Sequence, residues 1–321
     1  MNDLVRSIDR VCRVELVRGK SAPADAVPDY LFEVPHGATR AHHFDSLCEE
    51  LCGDYGAGLR DFFFVNTDVG APELARQSAR ELVAARPSSS ALVICCDLPR
   101  TLIDTNRVID RNAVGAASKA GEMTPGLPPW VVADGDRELL LSRYFAYQEV
   151  VAAAFALVCG SESSAESSAE RSQDVRTGRA LCVHTYAPRS LQVDVDEDIG
   201  KSLRAAYAPD RIESWPLRAE VDLITHDEQG QELADVGLAA RAEREFAAAG
   251  FPCARNGTYA LHASTSAYEY ARRYPGRTLC LELRRDLLLD AFVPFVELVP
   301  NDAAVARAAK PLVQALLGDA D

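Results

Sequence analysis

The chain has 321 residues, enough for one large α/β domain or two ordinary ones. Its 48% hydrophobic and 26% charged residues are those of a globular enzyme-sized protein, and 48 acidic against 34 basic side chains leave a net charge of −14 with neutral histidine. That acidity argues against a general nucleic-acid role, which needs a basic surface, and no run approaches the roughly 20 apolar residues of a membrane span. Residues 1–20 are charged throughout and lack the apolar segment of a secretory signal. The nine cysteines show no CxxC spacing and several sit in apolar runs, so they read as reduced core residues of a cytoplasmic protein.

In chain order, residues 1–20 read as an opening strand or hairpin, and YLFEV at 30–34 as a short strand ending on Pro35-His36-Gly37. Phe44, Leu47, Cys48 and Leu51 recur at helical spacing within 42–53. DFFFV at 61–65 reads as the next strand, ending at Asn66-Thr67-Asp68, with Pro72 and Glu73 opening a helix that runs to about residue 85. Residues 91–96 form a continuous apolar run, the pattern of a strand buried on both faces, which Pro99 breaks. This alternation of strand and helix argues for an α/β fold with a largely parallel sheet.

Residues 112–134 are rich in Gly, Pro and small side chains and read as a long loop able to cover a site. A long helix follows over 136–159, and 161–177 is a low-complexity Ser/Glu loop. RALCV at 179–183 is a buried strand ending on His184-Thr185-Tyr186. Residues 190–229 look acidic and irregular, with an edge strand at 221–227; 231–249 is an amphipathic helix and 255–259 a turn. TLCLEL at 278–283 is the last core strand, with Glu282 near its end, and 301–317 closes the chain as a helix. No repeat or composition shift marks a second folded unit. The expectation is one domain over 1–321 with loop insertions at about 112–134 and 160–178.

The strand ends collect His36, Asp68, Arg100 with Asn106 and Arg107, His184 and Glu282. Open α/β sheets build sites outside the carboxyl ends of their strands. Two histidines and a carboxylate match a catalytic zinc site with an open position for water, and a separate carboxylate, Glu282, is placed to take that water's proton. Arg100 would stabilise an oxyanion, and Asn106 with Arg107 would hold a substrate carboxylate. Each residue also has a structural reading. Arg100 and Arg107 would otherwise tie down a loop through Asp97 and Asp104, and Asp68 would cap the helix it precedes. Tyr259 is either a substrate hydrogen-bonding group or a packed turn tyrosine. Alternation puts Arg284 on the face of Glu282, as its partner or as a substrate-binding cation. His42 and His43 read as surface residues of a helix, and His262 as a residue able to enter the pocket.

An ordered series of motifs resembles the N-formylglutamate amidohydrolase family, related to the zinc carboxypeptidases and the aspartoacylases. The series is VPHGAT (34–39), NTDVGAPELA (66–75), LPRTLIDTNR (98–107), CVHTYAP (182–188), NGTY (256–259) and LELRRDLL (281–288). The resemblance implies an α/β fold with a mixed, mainly parallel central sheet flanked by helices, of the zinc-exopeptidase (phosphorylase/hydrolase-like) type. It implies one zinc ion on His36, Asp68 and His184, with Glu282 as general base and Arg100, Asn106 and Arg107 on the substrate. The substrate implied is an N-acyl amino acid, N-formylglutamate by default, or a peptide with a free carboxylate. The same chemistry would serve a carboxypeptidase-like hydrolase of a peptide or cell-wall fragment, and a non-catalytic homologue would bind an acidic small molecule through Arg100 and Arg107. The chain departs from the pattern at Thr39, where relatives with a His-x-x-Glu motif carry the glutamate, at Gly37 for serine, and at Thr185 for serine.

Overall fold

The computed structural model describes residues 3–160 and 178–318. Seven strands form one sheet: β1 (Cys12–Arg18), β2 (Tyr30–Val34), β3 (Ser90–Cys96), β4 (Arg179–Tyr186), β5 (Val221–Ile224), β6 (Cys253–Arg255) and β7 (Thr278–Arg284). Their order is β1-β3-β2-β4-β7-β5-β6. The four central strands β3, β2, β4 and β7 are parallel, while β1 runs antiparallel to β3, and β5 antiparallel to β7. The sheet is therefore mixed and mainly parallel.

The apolar run at β3 has the physical cause read from its sequence. Leu92, Ile94 and Cys96 enter one core and Ala91, Val93 and Cys95 the other, because successive side chains leave opposite faces. The first core is covered by α1 (Ala41–Cys48), α2 (Ala57–Asn66), α4 (Asp134–Cys159) and α7 (Ser266–Arg273). The second is covered by α3 (Ala71–Ala85), α6 (Val236–Ala248) and α8 (Asp302–Leu317). Among the described residues no helix is long and apolar enough to cross a membrane. The nine cysteines are all free thiols.

Three expectations need correction. Residues 61–65 are helical, in α2, not a strand. Steps of about 100° send its aromatic residues to different neighbours: Phe62 meets Trp130 edge-on at 5.7 Å, Phe63 meets Phe44 at 5.4 Å, and Phe64 lies under the Arg60 guanidinium at 5.1 Å. A short apolar run buried on several sides carries no period that separates helix from strand. Residues 190–229 contain a helix, α5 (Ile199–Ala206), packed on α2. Strand β5 is not at the sheet's edge, since β6 pairs beyond it. The low-complexity segment 161–177 lies outside the described residues.

Because β2, β3, β4 and β7 run the same way, their carboxyl ends lie along one edge of the sheet. His36 follows β2, Arg100 follows β3, and His184 and Glu282 occupy the last turns of pleat in β4 and β7. Asp68 reaches the same edge by another route, from the connection between α2 and α3.

Candidate metal centre and active site

His36 leaves β2 in a loop held by side chains behind it. Thr105 Oγ1 donates to the carbonyl of Pro35 at 2.7 Å, and Thr67 Oγ1 to that of Ala38 at 2.6 Å. Gly37 allows the loop to lie against β3, where a Cβ would sit 2.7 Å from the carbonyl oxygen of Cys96. This close approach accounts for glycine at the position where the resembling family carries serine.

Both imidazoles turn Nδ1 to the same carboxylate oxygen. Asp68 Oδ2 lies 3.2 Å from His36 Nδ1 and 3.0 Å from His184 Nδ1, with the two rings 5.1 Å apart. All three residues are buried. The backbone N–H of Thr185 also donates to Asp68 Oδ2, and Thr185 Oγ1 donates to the carbonyl of Val69, so β4 grips the loop that carries the aspartate. Among the described residues, His36, Asp68 and His184 form the one group of histidine, cysteine and acidic side chains arranged to hold a metal ion, with ligand atoms within 4.8 Å of one another. Zinc ligands at roughly 2.0–2.2 Å in a tetrahedron stand about 3.3 Å apart, close to the observed spacings. The donor set fits a divalent ion. Asp68 thus stands where a carboxylate ligand would be needed, which Thr39, buried beside the loop, does not offer.

Asp104 is the hub beneath this group. Its Oδ1 lies 2.7 Å from His36 Nε2 and accepts from the backbone N–H of Asn106, while Oδ2 accepts from Arg100 Nη2 at 2.9 Å. Arg107 Nη2 stands farther off, at 3.8 Å. A carboxylate on the far nitrogen of a metal-binding imidazole sets the ring's orientation and tautomer. Burial alone would raise the Asp104 carboxyl, but the charges of Arg100, Arg107 and His36 outweigh it and hold it well below the usual range. At Asp68 the penalty of burial is likewise overcome, by the charge of His36 and hydrogen bonds from both imidazoles, and its carboxyl is depressed. Burial works against charge on His184 as well. The hydrogen bond to Asp68 and the negative field of Glu282, Asp68 and Glu33 prevail, and its pKa is raised. Such a concentration of buried negative charge is a setting for a cation.

Glu282 stands opposite His184 in the β4–β7 register. Burial raises its carboxyl to about 6; the charge of His184 opposes the rise and that of Asp68 adds to it. Its Oε2 and the Nε2 of His184 are both buried and without a hydrogen-bond partner. A base with a pKa near neutrality and a free oxygen suits proton transfer.

A cavity of about 520 Å³ opens over these groups, lined among others by His36, Arg100, Arg107, His184, Tyr259 and Glu282. Arg100 faces both carboxylates, 3.7 Å from Asp68 Oδ1 and 2.9 Å from Asp104 Oδ2. Asn106 lines the cavity, while the guanidinium of Arg107 donates to the carbonyls of Thr124 and Asn106 and to Thr124 Oγ1. Arg107 thus clasps the 112–134 loop, whose residues 119 and 121–124 line the cavity. Tyr259 also lines it, on a turn fixed by Asp222, whose carboxylate accepts from the N–H groups of Gly257 at 2.9 Å and Thr258 at 2.6 Å.

Arg284 is not brought to this cavity. Its guanidinium holds Asp286 at 2.9 Å and the carbonyl of Arg218 at 3.2 Å, with Glu220 3.7 Å away. The strand ends at Arg284 and the chain enters a 3₁₀ turn, Arg285–Leu288, so strand alternation stops there and Arg285 lines the cavity instead. His262 turns to Ser264 and Glu228 rather than into the cavity, and His42 and His43 line a separate cavity of about 350 Å³. Sequence reasoning missed Arg218, Arg285 and Asp222. Only Asp222 carried a signal, as an acid inside the apolar run of β5, where a buried carboxylate needs donors.

No protein-family model matches the chain, and no curated protein matches it by sequence. Solved structures do match. The N-formylglutamate amidohydrolase from Ralstonia eutropha aligns with a TM-score of 0.55 at 17% identity, over 95% of this chain and 97% of that one. A gene product of Agrobacterium tumefaciens aligns with a TM-score of 0.49 at 16% identity, over 99% of this chain and 100% of that one. A bacteriophage poly-γ-glutamate hydrolase aligns with a TM-score of 0.40 at 10% identity, over 98% of this chain and 92% of that one. The mixed α/β fold of this chain is that of the Ralstonia N-formylglutamate amidohydrolase, matched along nearly the whole of both chains.

Proposed function

We propose that the protein is a zinc-dependent amidohydrolase that cleaves the amide bond of an N-acyl amino acid. The observation that carries this reading is the convergence of His36, Asp68 and His184 beside the free carboxylate oxygen of Glu282. Two imidazoles and one carboxylate favour zinc among the common divalent ions. When bound there, zinc supplies Lewis-acid polarisation of the acyl carbonyl and a water of lowered pKa.

The chain's own groups account for the remaining chemistry. Glu282 accepts a proton from the attacking water as its oxygen bonds to the acyl carbon. Arg100 meets the negative charge that develops on the carbonyl oxygen. Glu282 then delivers the proton to the amide nitrogen, the C–N bond breaks, and a carboxylic acid and a free amine leave. Asn106, on the cavity wall, binds the carboxylate of the amino acid. Arg107 lines the cavity beside Asn106; three of its five N–H groups hold Thr124 and the Asn106 carbonyl, and its charge adds to the hold on that carboxylate.

Glu282→Gln tests the reading. The variant is expected to bind one equivalent of zinc as the native protein does and to lose on the order of 10²–10⁴-fold in kcat. Native protein that takes up no stoichiometric zinc, or a variant that turns over normally, overturns it.

A further inference from the structure

The cavity has two unlike halves. One carries the ionic groups described above. The other is an apolar wall built from Phe62 and Val65 of α2, Val195 of the preceding loop, and Ile199, Leu203 and Tyr207 in and beside α5. Val65, Val195, Ile199 and Leu203 form a small core of their own, separate from the two that flank the sheet. The wall is rigidly backed. Phe62 packs edge-on against Trp130 at 5.7 Å, and Tyr207 against Phe295 at 5.3 Å. Where α5 crosses α2, a Cβ on Gly200 would lie 2.8 Å from the Cα of Gly58, so the two helices approach as closely as backbones allow.

The wall reaches Arg100, the group that would meet the carbonyl oxygen. Arg100 shares a small cleft with Phe62, Trp130 and Val195, next to the guanidinium that meets the carbonyl oxygen. The wall's accessible face is carried by Phe62 and Tyr207, with Val65, Val195, Ile199 and Leu203 packed behind them; a formyl group would leave that face uncovered, and the cavity's 520 Å³ falls within the roughly 300–1,000 Å³ of pockets that hold much larger ligands.

We infer that the substrate's acyl group is an apolar chain or ring of several carbons, seated on the α2–α5 wall. This rests on the amidohydrolase reading for its chemistry and on the wall alone for its shape. The hydrolysis is then of an N-alkanoyl or N-aroyl amino acid, releasing an apolar carboxylic acid.

The test is a series of N-formyl, N-acetyl, N-butanoyl, N-hexanoyl and N-benzoyl derivatives of glutamate and of leucine with the zinc-loaded protein. In parallel, calorimetry measures binding of acetate, butanoate, hexanoate and benzoate. The expected result is a rise in kcat/KM of about fourfold per methylene, with a matching rise in affinity for the free acids. In Phe62→Gln and in Tyr207→Gln, which make the wall's accessible face polar, the hexanoyl-to-acetyl ratio is expected to fall tenfold or more. Because the ratio is read within each protein, a loss of total activity does not mimic it, and the native series decides if either variant fails to fold. Formyl as the best acyl group with acid affinities flat along the series, or a preference for dipeptides over alkanoyl amino acids, overturns the inference. Length-dependent acid binding without hydrolysis of any amide sinks the amidohydrolase reading and leaves the wall as a site for apolar acids.

Discussion

His184 and Glu282 lie directly opposite one another on the adjacent parallel strands β4 and β7, and each carries a buried polar atom with no hydrogen-bond partner. Two such atoms side by side in a sheet would be costly as structure alone. His184 turns Nδ1 to Asp68 in the metal group and leaves Nε2 free, so the free nitrogen and the free Glu282 oxygen fit a hydrogen-bonding group and a proton acceptor facing one reacting centre. The next residue across the sheet is Asp222, opposite Glu282 on β5, so the row runs from the metal group to the carboxylate that fixes the Tyr259 turn.

Asp104→Asn should weaken zinc binding by about 10–100-fold, because the aspartate holds the far nitrogen of His36 and also anchors Arg100. Competition against a chromophoric chelator measures this. An unchanged zinc affinity would show that Asp104 is only a loop tie.

Asp222→Ala strips two backbone donors of their acceptor and is expected to cost about 2–4 kcal/mol, since the residue is fully buried. With the turn loosened, KM should rise more than kcat falls. Urea unfolding and steady-state kinetics on the same preparation check both parts. A fall confined to kcat would mean that Asp222 acts on Glu282 rather than through the turn.

Asp136, in the first turn of α4, predicts a pH dependence of stability away from the site. Burial alone would raise its carboxyl, but the N–H groups of Cys52 and Gly53 and the hydroxyl of Tyr55 donate to it and lower its pKa. A group depressed in the folded state stabilises at pH above its unfolded value, near 3.9, and that contribution is lost as pH falls through the folded value. Asp136→Asn should therefore destabilise by about 1.5–3 kcal/mol at pH 7, with the gap to the native protein narrowing below about pH 4. Denaturant melts at several pH values follow it; a gap that widens in acid contradicts the assignment.

Gly200→Ala places a Cβ 2.8 Å from both the Cα and the carbonyl oxygen of Gly58, and backbone cannot yield as a side chain does. The α2–α5 crossing must open, at about 1–3 kcal/mol. A thermal melt unchanged within a degree would mean that the helices separate freely.

The fold class was legible because burial leaves a one-dimensional trace. The run of β3 is apolar without alternation since both its faces are covered; β2 ends just before His36, while β4 and β7 carry His184 and Glu282 within their last residues. The site residues at those ends, His36, Arg100, His184 and Glu282, could be gathered because parallel strands deliver their carboxyl ends to one edge. The motif resemblance reached Asp68 as an aspartate before a helix, which α3 bears out, while the reading of 61–65 as a strand leading to it was wrong. It follows a helix, and a triplet of phenylalanines buried on several sides looks the same in either element.

What the sequence by itself determined was local: where backbone hydrogen bonding repeats, which positions face a core, and which strand ends carry ionisable groups. The tertiary structure alone decided how those groups divide their partners. Asp104 reads in sequence as the neighbour of Arg107, yet it gives its closest contacts to His36 and Arg100. Arg107 holds Thr124 of a distant loop, Arg285 rather than Arg284 reaches the cavity, and helix α5 supplies half of a wall that no motif marks. Spacing along a chain constrains the direction of a side chain only within its own element. Which atoms meet across elements depends on register and packing between segments far apart in sequence, and those are set only when the whole sheet and its two cores close together.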